Sequence, residues 1–104
     1  MKNSRIAILL VISILLLTTA AMADDTAALY KAKCQVCHGP DGKGDTAIGK
    51  KIGAKDFHSP EVAKISDAEL ISFIKKGKGK MPSFDGKLTD DQIKSLVLYI
   101  RHLK

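Results

Sequence analysis

Five consecutive residues, Cys34-Gln35-Val36-Cys37-His38, place two thiols and an imidazole within little more than one helical turn. Thiolate sulfur and imidazole nitrogen both ligate metals, and a thiol can also be oxidised or alkylated. Met81 follows 43 positions after His38, inside the stretch GKGKMPSFDG, residues 77–86. Methionine is ordinarily an apolar core filler. Here it stands among glycines and lysines, in a segment that reads as an exposed loop. A thioether there is a soft donor on a movable arm. His58 and His102 complete the imidazole inventory.

C-x-x-C-H is the attachment signature of c-type haem. Cysteines three apart reach vinyl groups on adjacent pyrroles and become thioethers. The next residue, His38, is thereby brought under the iron as proximal ligand. Met81 suits the opposite face, because a thioether is a soft ligand and His/Met ligation raises the reduction potential. Pro82 biases Met81 toward extended backbone. Gly77, Gly79 and Gly86 let the arm turn, and Phe84 can pack on the macrocycle. Other readings of the same residues remain open. The cysteine pair could be a thiol redox site, but such sites accompany a βαβ pattern, which is absent. It could be half of a zinc site completed by His58 and His102, though their spacing fits no usual pattern. His58 could replace Met81 and give bis-His ligation. Met81 could simply be a loop methionine packed on the core.

These side chains need helices to hold them. Hydrophobic period and capping residues predict four helices, with no strand alternation of any length. The first runs from Asp25 to Val36 and carries the cysteines at its end. A short second helix begins at Ser59-Pro60-Glu61, with Pro60 at its first position. The third opens on a capping box, Ser66-Asp67-Ala68-Glu69, with Ile65 and Leu70 as hydrophobic staple and Gly77 at C′. Its apolar stripe is Leu70, Phe73 and Ile74. The fourth opens on Thr89-Asp90-Asp91-Gln92, with Leu88 and Ile93 as staple. Its stripe is Ile93, Leu96, Val97, Ile100 and Leu103, extended by Tyr99. Arg101, His102 and Lys104 complement its C-terminal dipole. Long loops are expected at 39–58 and 77–88.

The chain has 104 residues, enough for one small domain. Residues 1–23 read as a secretory signal peptide: Lys2 and Arg5, then the apolar run Ile6–Leu17, then Ala21-Met22-Ala23 as cleavage site. The alternative is an uncleaved anchor, since the apolar stretch approaches the roughly 17 residues that span a bilayer. Cleavage leaves the domain 24–104, from which Met1 and Met22 are gone and Met81 is the sole methionine. The 15 remaining bases against 11 acids give a net charge of +4. That is too mild, without a basic helix face, for a nucleic-acid binder. So small a domain needs a staple. A disulfide between the only two cysteines would close too short a loop to serve. Covalent haem would serve.

With these residues in hand, the segments CQVCHGPDGKGD and GKGKMPSFDGKLTDDQIKSLVLYIR resemble the class I monohaem c-type cytochromes. The chain is similar to short bacterial periplasmic carriers and to the cytochrome domains of respiratory oxidases, over nearly all of residues 24–104. The resemblance implies an all-α fold of about four helices around one haem bound through Cys34 and Cys37. It implies His38 and Met81 as axial ligands, and first and last helices crossing near a right angle. Tyr30 matches the family's aromatic at that crossing, with Leu96 and Tyr99 as its partners. The sequence departs from the family at Thr26, where a glycine is common. It departs again at 47–53, AIGKKIG, which lacks the proline whose carbonyl accepts from the proximal imidazole. Ile48 and Gly49 are the candidate acceptors. There is no tryptophan to hold a propionate.

Six-coordinate iron has no open position, so the expected function is one-electron transfer and not enzymatic catalysis. The expected protein is a periplasmic monomer that takes electrons from a respiratory complex or dehydrogenase and gives them to a terminal oxidase or reductase. Lysines of KKGKGK, residues 75–80, would rim the haem edge and steer an acidic partner; the plain alternative is a solvated loop. A membrane would be touched only through an uncleaved signal segment. A haem enzyme or gas sensor with a labile sixth ligand is the rival from another class.

Overall fold

A computed structural model describes residues 25–104. The expected signal peptide and its cleavage point lie outside the described residues. Within them, regular structure is helical apart from one isolated bridge between Lys78 and Met81. The fold is the all-α class expected.

Helix α1 occupies residues 25–33 and α2 Gln35–His38, with a turn at Cys34 between them. Backbone bonds from Cys34 N to Tyr30 O (2.9 Å) and from His38 N to Cys34 O (3.0 Å) carry the helical pattern across that turn. The cysteines and His38 therefore sit on the last turns of one nearly continuous rod. It extends two residues past the expected end at Val36.

The expected loop at 39–58 contains a helix, α3, Ala47–Ile52. Thr46 caps it by accepting from Gly49 N, and Gly53 ends it in the left-handed conformation at φ 73°. Its six residues carry no full apolar stripe, so a period search passes over it. Helix α4, Pro60–Ala63, follows its Ser59 cap as expected.

Helix α5, Asp67–Lys76, is capped by Ser66, whose hydroxyl accepts from Glu69 N. The reciprocal half of the expected box is not among its bonds. Gly77 ends α5 at φ 78°, ψ 166°, outside the left-handed helical region expected for C′. The chain there swings back along the helix end, as described below. Helix α6, Asp90–His102, has the complete box: Thr89 accepts from Gln92 N, and Gln92 Oε1 accepts from Thr89 N.

The core joins α1, α4, α5, the 81–88 segment and α6. Tyr30, Ile93, Leu96 and Val97 are its fully buried large side chains. Val62, Leu70, Phe84, Leu88 and Ile100 surround them, with Phe73, Ile74, Tyr99 and Leu103 packed alongside. Both hydrophobic staples thus feed the core. The rings of Tyr30 and Tyr99 lie 5.1 Å apart, at the contact of first and last helices that the resemblance implied. Arg101 does more than face a helix dipole. Its guanidinium donates to Asp67 Oδ1 (2.9 Å from Nη2), to Val62 O and to Ile65 O, tying the end of α6 to the α4–α5 corner.

Candidate haem-binding site

The site is built from the end of the α1–α2 rod outward. Cys34 and Cys37 are half-buried free thiols. Burial pushes the Cys34 thiol up to about 11, with a smaller contribution from Cys37. Such a thiol stays protonated at neutral pH, the opposite of the depressed thiol that attacks disulfides.

His38 is oriented by two neighbours from the far end of the 39–58 segment. Its Nδ1 lies 3.1 Å from the carbonyl oxygen of Lys55. A carbonyl only accepts, so Nδ1 carries the proton and Nε2 keeps the lone pair a metal needs. The Phe57 ring stacks on the imidazole at 4.5 Å and 22°. Burial lowers the His38 pKa, with the Lys55 carbonyl opposing, which favours the neutral, ligating form. The acceptor is therefore neither Ile48 nor Gly49. Gly49 is instead a contact point: a Cβ there would collide with the Cys37 carbonyl oxygen. Thr46 Oγ1 donates to the Val36 and Cys37 carbonyls at 2.9 and 3.0 Å, fastening α3 beneath the cysteine turn. Tyr30 Oη donates to Gly39 O at 2.6 Å, holding the chain just after His38. Burial, as the largest cause, raises the Tyr30 pKa far above the ordinary phenol value, so that donor persists.

Met81 lies on an arm that is pinned to the end of α5. Lys78 and Met81 exchange backbone bonds of 3.2 and 3.0 Å around Gly79-Lys80, a two-residue turn with glycine first. Beyond Met81, Phe84 N donates to Ile74 O (3.1 Å) and Asp85 N to Lys75 O (3.0 Å). Ser83 Oγ also donates to Lys75 O, at 2.7 Å. The carbonyls of Ile74 and Lys75, in the last turn of α5, are thus satisfied by the arm itself. A side chain at Gly77 would strike the backbone of Met81–Ser83, which explains a glycine there. Phe84 is buried in the core, and Met81 packs against the same cluster as Cys34.

The remaining candidates are placed elsewhere. His58 Nε2 donates to Asp41 O at 2.7 Å, so its ring is engaged with the loop that follows His38. His102 is exposed and donates from Nδ1 to Leu98 O at 2.8 Å, as a helix-end imidazole. Among the described residues no three histidine, cysteine or acidic side chains converge into a metal set, which leaves the zinc reading unsupported. The lysine run is partly spoken for: Lys75 Nζ pairs with Asp90 at 3.1 Å, and Lys78 Nζ sits 4.3 Å from the Phe73 ring centroid. Lys76 and Lys80 are exposed.

Sequence reasoning missed Lys55, Phe57 and Thr46 as parts of the site, and named Gly49 as an acceptor where the structure makes it a contact point. A threonine cap and a glycine stop bracketing AIGKKI were a usable signal for α3. The Lys55 carbonyl had none, because a backbone acceptor looks the same at every residue.

The donor set fits haem c: two adjacent thiols, an imidazole with Nε2 free of protons, and a thioether on a separate pinned arm. Known proteins agree. The family model for cytochrome c oxidase, cbb3-type, subunit III matches residues 21–100. The chain is 34% identical over 88 residues to the cbb3-type cytochrome c oxidase subunit CcoP of Azospirillum brasilense, spanning 83% of this chain but only 30% of that subunit. It is 34% identical over 98 residues to the cytochrome c6 of Thermosynechococcus vestitus, covering 91% of this chain and 82% of that protein. The solved KustC0563 c-type cytochrome superposes with a TM-score of 0.69 at 39% identity, covering 75% of this chain and 95% of that one. Helical fold, cysteine-histidine turn and these likenesses together make the chain a member of the cytochrome c family matched by the cbb3-type subunit III model, a small class I cytochrome that carries electrons on one covalently bound haem c.

Proposed function

We propose that residues 24–104 form an exported, freely diffusing one-electron carrier with haem joined through Cys34 and Cys37 and iron ligated by His38 and Met81. The observation that carries this reading is the Nδ1–H bond of His38 to Lys55 O, which leaves Nε2 unprotonated and able to ligate a metal, one residue after Cys37. The pinned Met81 arm supports the second ligand, since a tethered thioether loses little freedom on binding. The bound haem supplies reversible ferric–ferrous chemistry. With His38 and Met81 both on the iron, no position would be left for oxygen or substrate, and the same two ligands would serve both oxidation states, which keeps the chemistry to electrons. His58, held by Asp41 O, is disfavoured as a competing ligand. Exposed Lys80, in the turn before Met81, and exposed Lys76, at the end of α5, would steer an acidic redox partner. The donor would be a respiratory complex or dehydrogenase, and the acceptor a terminal oxidase or reductase. Export to the periplasm rests on the leader pattern of residues 1–23; among the described residues no helix is long and apolar enough to cross a membrane.

The test is an optical spectrum of the holoprotein made with a haem-attachment system, oxidised and then reduced. A low-spin c-type spectrum with the weak sulfur-to-iron charge-transfer band in the ferric state is expected. Met81→Ala should keep the haem, lose that band, open the iron to added ligands and lower the potential. Cys34→Ala or Cys37→Ala should lose one thioether and most holoprotein. Covalent haem without the charge-transfer band in the unmodified chain would overturn the Met81 assignment and favour the sensor reading.

A further inference from the structure

The 39–58 segment leaves the haem-attachment turn and returns to it, and one exposed side chain closes the return. Lys55 O, which orients His38, is a backbone group, and the Lys55 side chain makes only an exposed 3.8 Å ion pair with Glu61. The carbonyl's position is set by the backbone on either side. Upstream, Gly44 permits the approach: a Cβ there would stand 2.5 Å from Ala54 O and 3.1 Å from Lys55 O. Gly44 N is itself anchored on His38 O at 2.8 Å. Downstream, Phe57 N donates to Gly42 O at 2.9 Å, and the Phe57 ring fills the space over Gly42 and stacks on His38. The last fastening is His58. Its backbone N–H donates to Asp56 Oδ1 at 2.8 Å and its Nε2–H to Asp41 O at 2.7 Å, across 17 positions of chain.

We propose that His58 is a positioning residue for the iron site: its bond to Asp41 O clasps residues 55–58 against 41–42 and so holds the Lys55 carbonyl on His38 Nδ1. The inference rests on His38 being the proximal ligand. Its physical content is electronic. A carbonyl held firmly on Nδ1–H makes the imidazole a stronger donor, which favours ferric iron. Loosening the clasp weakens that bond and raises the potential. His58 thus influences the haem without touching it, from the opposite role to the ligand its chemistry first suggested.

The experiment compares His58→Ala, His58→Asn and His58→Gln as holoproteins, reading reduction potential by titration and exchange of the His38 Nδ1 proton by NMR in the ferrous state. Ala and Asn cannot reach Asp41 O, and both should raise the potential and speed that exchange by roughly fivefold, the scale of one net hydrogen bond. Gln carries an N–H to about the same place and should restore both readouts toward the parent. If the Ala variant yields no holoprotein, the Asn and Gln pair carries the comparison. Identical potential and exchange in all three would overturn the proposal. Loss of low-spin character in the variants would instead make His58 an axial ligand, overturning the proposal and the Met81 assignment together. Failure of the His38 reading alone is separable, because it would already appear in the unmodified spectrum.

Discussion

Gly49 lies buried where α3 meets the cysteine turn, and the missing side chain lets backbone touch backbone there. Gly53, four residues on, is glycine for a different reason: it has φ 73° and open space around it. Gly49→Ala must displace α3 or the Cys37 carbonyl and should cost about 3 kcal/mol, the upper range for overpacking. Gly53→Ala should cost about 1 kcal/mol, the strain of a left-handed alanine. Denaturant midpoints of the two ferric holoproteins, at unchanged m, check both figures. Tyr30→Phe is a third single-residue test. It keeps the ring contact with Tyr99 but removes the 2.6 Å bond to Gly39 O. Gly42 N still donates to that carbonyl at 3.2 Å, so it is not orphaned. The expected loss is about 1 kcal/mol.

The Met81 arm is the element whose design is most specific to function. Its backbone takes carbonyls at the end of α5, so that helix end and the position of Met81, the proposed ligand, are one structure. Ser83 is its polar rivet, donating to Lys75 O and accepting from Asp85 N at 3.2 Å. Ser83→Ala should leave the room-temperature spectrum intact but shift thermal loss of the charge-transfer band to lower temperature, read by a melt at that band. An unchanged melt would mean that Phe84 burial alone holds the arm. The two large helices offer a second comparison. Thr89→Ala breaks a two-way capping box on α6, and should cost about 1 kcal/mol in the chemical melt. Ser66→Ala breaks a single cap bond on α5 and should cost less.

At the scale of the whole molecule, the core is small. Among the described residues its fully buried large side chains are four, drawn from α1 and α6. An unaided core of this size is marginal for about 80 residues. The chain with both cysteines replaced by alanine should therefore lack a cooperative melt, while the holoprotein shows one; a cooperative haem-free melt would show the core to be self-sufficient. Net charge belongs to this scale too. With 15 bases against 11 acids in residues 24–104, the rate of electron transfer to an acidic partner should fall as salt rises. Lys76→Gln with Lys80→Gln should flatten that dependence, measured by stopped flow. Lys75→Gln should do less, since its charge is already paired with Asp90.

What lies contiguous along the chain was readable from it. C-x-x-C-H, the caps at Ser59, Ser66 and Thr89, and the 3.6-residue stripes of α5 and α6 are local patterns, each with a local physical cause. Met81, the one methionine of residues 24–104, could be singled out because residue type alone makes it a donor. Folding was needed wherever the partner is backbone or distant. Lys55 O on His38, Gly49 against Cys37 O, and the α5 carbonyls taken by the Met81 arm involve groups that every residue carries. Nothing in their side chains marks them. His58 shows the same limit from the other side: its imidazole advertised a metal ligand, and the chain's path back puts its Nε2 on Asp41 O.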